Sequence, residues 1–232
     1  MRHAIAPFTS CYTPAMRNFT LAALLILSCH AVADDTPKSM TKMVVQLDSP
    51  GIPHDSFTRK PKTIYRAGTR FCRVEEQPDS ANAIQGLMII NEPDAWMVNL
   101  LNKTAKHIVD AGPTFNCHLP IFRAPIPNTA DDLDYGKLGL EFGHELEFFK
   151  SHGAQPQLGP VLQTKKTSAY KLQFGGTSIA LFTYGDEQIP LLVGHTYENK
   201  GELVWYSGYG QIPFDPRLFV KPDGVNIEEA KN

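Results

Sequence analysis

The sequence predicts a mainly β domain of the α+β kind, a curved antiparallel sheet or incomplete β-barrel carrying a short helix or lid region. Three observations lead there. Apolar and polar residues alternate along most of the chain between Met43 and Ser207, the period of strands that bury one face. Turn-forming residues interrupt that alternation too often for the long crossovers that parallel neighbours need. One segment alone, residues 138–150, also carries a helical stripe.

Taken in order, residues 1–33 contain Arg2 and Arg17, no acid, the apolar run Leu21 to Ser28, and then Ala31-Val32-Ala33. This is the pattern of a cleavable secretory signal, with the mature chain starting at Asp34. The run is shorter than the roughly 20 apolar residues that span a bilayer, so no membrane span is expected after cleavage. Met16-Arg17-Asn18 would open a more compact signal with the same cut. Ile26-Leu27-Ser28-Cys29 offers a second cut, a lipoprotein signal that would tether the domain through Cys29. Cutting after Ala33 instead leaves a periplasmic or secreted protein. Residues 34–41 are polar and expected to be a flexible N-terminal segment, 42–227 a single β domain, and 228–232 a C-terminal tail.

Met43, Val45 and Leu47 alternate until Pro50-Gly51-Ile52-Pro53 breaks the first strand. Residues 62–66 and 69–75 predict two strands joined at Ala67-Gly68, and 86–91 a third. Asn91-Glu92-Pro93-Asp94 is turn chemistry, after which Trp96, Val98 and Leu100 share one face, and Asn102-Lys103-Thr104 turns into 105–110. An irregular stretch from Ala124 to Gly136 is the candidate functional loop. In 138–150, Leu138, Leu140, Phe142, Leu146 and Phe148 fit a strand, whereas Leu138, Phe142, Leu146 and Phe149 fit a helix ending near Lys150-Ser151-His152-Gly153. Gly139 and Gly143 each cost a helix about 1 kcal/mol relative to alanine, which favours a short helix from about Phe142 to His152. Tyr170, Leu172 and Phe174 alternate up to the hairpin pair Gly175-Gly176, followed by strands at 177–184, 189–197 and 202–207, a four-strand antiparallel meander.

Cleavage after Ala33 leaves 199 residues with 20 basic and 24 acidic side chains, a net charge of −4. That balance excludes nucleic acid as a partner attracted by bulk charge. Cys72 and Cys117 are the two cysteines left, and in an oxidising compartment an even pair reads as a disulfide.

The apparent chemical motifs fail on spacing. Asp131, Asp132, Asp134 and Gly136 resemble a calcium loop, yet Leu133 and Tyr135 fall where oxygen ligands belong. Glu141 and His144 have a di-iron spacing without the second pair or the four helices such sites need. His54, His107, His118, His144, His152 and His195 include no close pair at zinc-ligand spacing, so neither metal nor cofactor is expected. No Gly-x-Ser-x-Gly elbow occurs, and Tyr206-Ser207-Gly208 lacks its upstream glycine, so no catalytic residue is assigned. Gly208-Tyr209-Gly210 resembles a channel filter by letters alone.

Gly68 to Glu76, Gly86 to Asn91, Trp96 to Leu100 and Lys103 to Asp110 resemble the consecutive strands of the LolA/LolB-like lipoprotein-carrier superfamily. The ending Pro213-Phe214-Asp215-Pro216-Arg217-Leu218-Phe219, then Pro222-Asp223-Gly224-Val225, is similar to the way many members end. The resemblance implies a curved, incomplete barrel closed by helices around a cavity for acyl chains, and a strand arginine holding the lid, for which Arg70 and Arg73 are the nominees. The chain departs from that family in lacking an amphipathic helix at Asp34 to Thr41.

Two classes of function follow. The first is a non-enzymatic carrier or binding protein for a lipid, acyl chain or other apolar ligand of the bacterial envelope, its pocket lined by Trp96, Val98, Leu100, Tyr170, Leu172, Phe174, Phe182 and Tyr184. The alternative is an envelope hydrolase whose polar residues converge only in three dimensions, or a structural module that binds another envelope protein.

Overall fold

The computed structural model describes residues 36–109, 139–174, 176–197 and 200–229. Its strands are β1 (Ser39–Asp48), β2 (Lys62–Ala67), β3 (Phe71–Glu76), β4 (Gly86–Asn91), β5 (Asp94–Asn99), β6 (Thr104–Val109), β7 (Gln157–Leu162), β8 (Lys165–Phe174), β9 (Thr177–Tyr184), β10 (Ile189–Tyr197), β11 (Lys200–Pro213) and β12 (Asn226–Glu229), with one helix, α1 (Glu145–Ser151). The twelve strands form a single curved, unclosed sheet in the order β12-β6-β5-β4-β3-β2-β1-β11-β10-β9-β8-β7. Two antiparallel meanders, β2 to β6 and β7 to β11, are joined because β1 pairs with β2 on one side and β11 on the other. Among these strands only β12 pairs parallel, with β6.

The strands expected at 62–66, 69–75 and 86–91 and the four-strand meander form as the alternation requires. The ambiguous segment resolves as helix over Glu145–Ser151, burying Phe148 and Phe149. Strands β7 and β12 escaped the alternation because their side chains are mostly exposed, leaving no apolar period to read. The loop expected from Ala124 to Gly136 lies outside the described residues.

Gly208-Tyr209-Gly210 is a β-bulge. Between Lys42↔Gly210 and Val44↔Ser207 strand β11 carries one extra residue, and Gly208 takes φ +61° there. The extra residue reverses the parity of β11, so that Tyr206 and Tyr209 both join the main core.

Register defines the two faces. The inner face carries Met43, Ile64, Val74 and Met88 across β1 to β4, and Tyr170, Leu181, Val193 and Val204 across β8 to β11. With α1 these residues make one core cluster. The outer face is covered by the C-terminal chain in two places. A 3-10 turn at Pro216–Phe219 packs with Phe214 on Met40, Tyr65, Ala67 and Phe71. Val225 and Ile227 pack on Leu87, Ile89, Trp96 and Val98.

Candidate functional site beneath the helix

The sequence-nominated lining residues do not form one wall. Tyr170 is fully buried on the inner face, opposite Leu181, and Leu172 and Phe174 follow it there. Phe182 and Tyr184 alternate with the buried Ile179 and Leu181 and so point to the outer face. Trp96 and Val98 are buried in the outer cluster, and Leu100 lies past the end of β5, 39% exposed. A period of two assigns each strand two faces without saying which is inner, and the C-terminal chain makes parts of both faces apolar.

The lid arginine is likewise elsewhere. Arg70 hydrogen-bonds Asn91 at 3.2 Å, and Arg73 bonds Glu75 at 2.7 Å and the Leu218 carbonyl at 3.0 Å on the outer face. The strand arginine that reaches the helix region is Arg66 of β2, on the inner face with Ile64. Its side chain is 1% exposed, and Nη2 donates to Glu141 Oε2, four residues before α1. The chain returns against Arg66 at Gly143, where φ is +84° and a Cβ would stand 3.1 Å from Arg66 Cγ. Only glycine suits both conditions.

Beside this ion pair, Glu145 is fully buried and its Oε1 accepts from the Gly143 amide and from the Tyr206 hydroxyl, both at 2.9 Å. Burial pushes its carboxyl up to about 6, against the opposing hydrogen bonds from Gly143 and Tyr206 and the charge of His144. Burial first, and then Glu145, raises the Tyr206 phenol well above its ordinary value. Burial lowers the Arg66 guanidinium, against the charges of Glu141, Glu92 and Glu145. Two further bonds tie the helix across the sheet, His144 Nε2 to the Gly68 carbonyl at 3.2 Å and Lys150 Nζ to Gln188 Oε1 at 2.8 Å. The Glu-x-x-His pair is thus engaged in docking α1. Among the described residues no group of three His, Cys, Asp or Glu could hold a metal ion.

Two grooves open on the sheet, one of them beside the helix. One of about 600 Å³ has the inner-face residues Val74, Met88 and Met97 on its floor and Glu76, Lys106 and Glu228 around it. Met97 is 48% exposed there. Deeper along β2, Lys62 pairs with Glu76 at 3.4 Å, and burial lowers its ammonium. The other groove, of about 700 Å³, runs between α1 and the β9–β10 turn, with Leu146, Ile189, Pro190 and Tyr209 among its lining.

The sequence held partial signals for the cluster. Arg66 shares the parity of Ile64, a charge on an apolar face, and Glu145 lies on the stripe between Phe142 and Phe149. Cys72 is buried, and its expected disulfide partner Cys117 lies outside the described residues, as do Cys29 and residues 1–33. Among the described residues no helix is long and apolar enough to cross a membrane.

No family model and no curated protein matches this chain. Solved structures similar to it include an uncharacterized conserved protein from Thermus thermophilus, at 10% identity over 83% of this chain and 91% of that one, with a TM-score of 0.49. MucB in complex with MucA(peri) is similar at 8% identity over 79% of this chain and 54% of that one, TM-score 0.38. A DUF1329 family protein from Desulfovibrio piger is similar at 8% identity over 81% of this chain and 91% of that one, TM-score 0.27. Likeness at this level carries no conclusion about activity, ligand or partner.

Proposed function

We propose that this chain is an exported, non-enzymatic carrier or binding protein of the cell envelope, taking a lipid, an acyl chain or another apolar ligand on the inner face of its sheet. The observation that carries this reading is the uneven cover of that face. Among the described residues α1 covers the face over β8 and β9, while toward β5 and β6 Val74, Met88 and Met97 line a groove. The helix is held through buried polar contacts of Arg66 and Tyr206 as well as by Phe148 and Phe149. Such contacts exchange for water or for other partners, so a ligand entering along the floor displaces the helix without opening the whole core. The LolA/LolB-like resemblance agrees with this reading, with Arg66 in the role of the lid arginine. A hydrolase reading is less well supported, because Glu145, the carboxyl here whose acidity is most altered, is completely buried away from any substrate. The reading includes removal of residues 1–33 and a Cys72–Cys117 disulfide, both open to intact-mass and non-reducing peptide analysis.

The test is titration of the mature protein with an anilinonaphthalene dye, followed by displacement with oleate or phosphatidylglycerol. Saturable fluorescence enhancement, lost in Met88→Glu and retained in Phe182→Glu on the opposite face, is the expected result. A folded protein that gives no saturable enhancement overturns the carrier reading in favour of an interaction module.

A further inference from the structure

Among the described residues the edge of the sheet beyond β6 is formed by the four residues of β12. Asn226, Ile227, Glu228 and Glu229 run parallel to Thr104, Ala105, Lys106 and His107 in direct register. All but Ile227 are exposed, and Ile227 and Val225 pack on Leu87, Trp96 and Val98. At the end of this ladder Glu229 Oε2 lies 2.7 Å from His107 Nδ1, while His107 Nε2 lies 2.8 Å from Asp94 Oδ1. The imidazole stacks on Trp96 at 5.2 Å between centroids and 11° between planes. The protonated ring can donate from both nitrogens, one to each carboxylate, and these contacts raise its pKa against the opposing effect of burial.

The charges of the two partners are complementary. From Lys103 to Val109 the β6 side carries Lys103, Lys106 and His107 and no acid, whereas β12 brings Glu228 and Glu229. A strand of four residues, paired on one side, is anchored by little backbone hydrogen bonding. It is preceded by Pro222-Asp223-Gly224, where Gly224 takes φ +68° and turns the chain toward β6.

From these observations we propose that the β6 edge is a strand-addition site for an extended acidic peptide of another protein, and that β12 is its occupant in cis. The features that seat β12 define the partner: apolar residues at alternate positions, matching Val225 and Ile227, and a carboxylate two residues further on, matching Glu229. Backbone pairing along Thr104 to His107 supplies affinity, the cluster around Trp96 selects the apolar residues, and His107 selects the carboxylate. The site borders the groove of the carrier reading, since Lys106 and Glu228 belong to both, but the proposal rests on the outer-face contacts of Ile227 and Glu229 and is read by peptide binding rather than by dye binding.

The experiment uses the full mature chain and a fluorescent peptide with the sequence from Val225 to Glu229. Ile227→Asp removes the apolar anchor of β12 and leaves β6 intact. Anisotropy should show the peptide binding Ile227→Asp at least tenfold more tightly than the unmodified chain. Adding His107→Ala, or replacing the last Glu of the peptide by Gln, should weaken binding at least tenfold. In the unmodified chain, hydrogen exchange at 226–229 should be at least tenfold faster than at 87–90 of β4, and excess peptide should accelerate it further by displacement. Absence of saturable binding to a folded Ile227→Asp variant overturns the proposal. So does exchange at 226–229 as slow as in β4, a result that decides the matter even if the variant fails to fold.

Discussion

Replacing Glu145 by Gln should make the protein more stable at neutral pH. In the folded chain burial raises the Glu145 carboxyl from 4.5 to about 6, which corresponds to about 2 kcal/mol of destabilisation whenever the group is ionised. For an acid whose folded value is raised, that cost is absent below the unfolded value near 4.5. It grows as pH rises between 4.5 and about 6, and is fully present above. Gln keeps an oxygen to accept from Gly143 and Tyr206, and Glu145 Oε2, where its amide nitrogen would sit, has no hydrogen-bond partner among the described residues. The variant should therefore melt about 4–8 °C above the parent at pH 7.5 and match it near pH 4.5. Circular dichroism melts from pH 4.5 to 7.5 measure both ends of the curve. A Glu145→Gln protein less stable than the parent at pH 7.5 would refute the reasoning, because it would mean that the ionised carboxylate is needed to balance Arg66.

Arg66→Met should destabilise the fold by about 3–5 kcal/mol in urea, since it leaves the half of a buried pair that Glu141 supplies, 13% exposed, without its cation; a loss under 1 kcal/mol would show the pair to be incidental. Gly143→Ala should cost about 1–3 kcal/mol, through its φ of +84° and the 3.1 Å approach to Arg66 Cγ, whereas Gly68→Ala, with φ +54° and open space around it, should cost only the strain. His107 should titrate above 6.5 by NMR: burial opposes its charge, but the carboxylates of Asp94 on β5 and Glu229 on β12 outweigh it. The stability this gives is complete below 6.5 and is lost as pH rises through the folded value, so Glu229→Gln should lower the titration point; an unshifted His107 in that variant would reject the contact.

The sequence by itself determined the strands whose two faces meet different surroundings. In β1 the alternation of Met43, Val45 and Leu47 in the sequence is the alternation of burial in the strand, and the turn at Ala67-Gly68 follows from glycine's tolerance of positive φ, +54° here. It favoured a helix around Phe148 and Phe149 without deciding it, because the apolar residues of 138–150 fit a period of two as well as a 3.6-residue stripe until the structure placed Glu145–Ser151 in α1. Parity has no sign, however, so Trp96 and Phe182 could be grouped with Tyr170 until cross-strand registers placed them on opposite faces. The pairing of β1 with β11 and the meeting of Arg66 with Glu141 join residues more than 70 positions apart. Nothing local encodes such contacts: chain entropy opposes each, and only the burial of the entire inner face makes them favourable together. For the same reason β12 went unread, since four mostly exposed residues acquire strand geometry only when β6 offers them an edge.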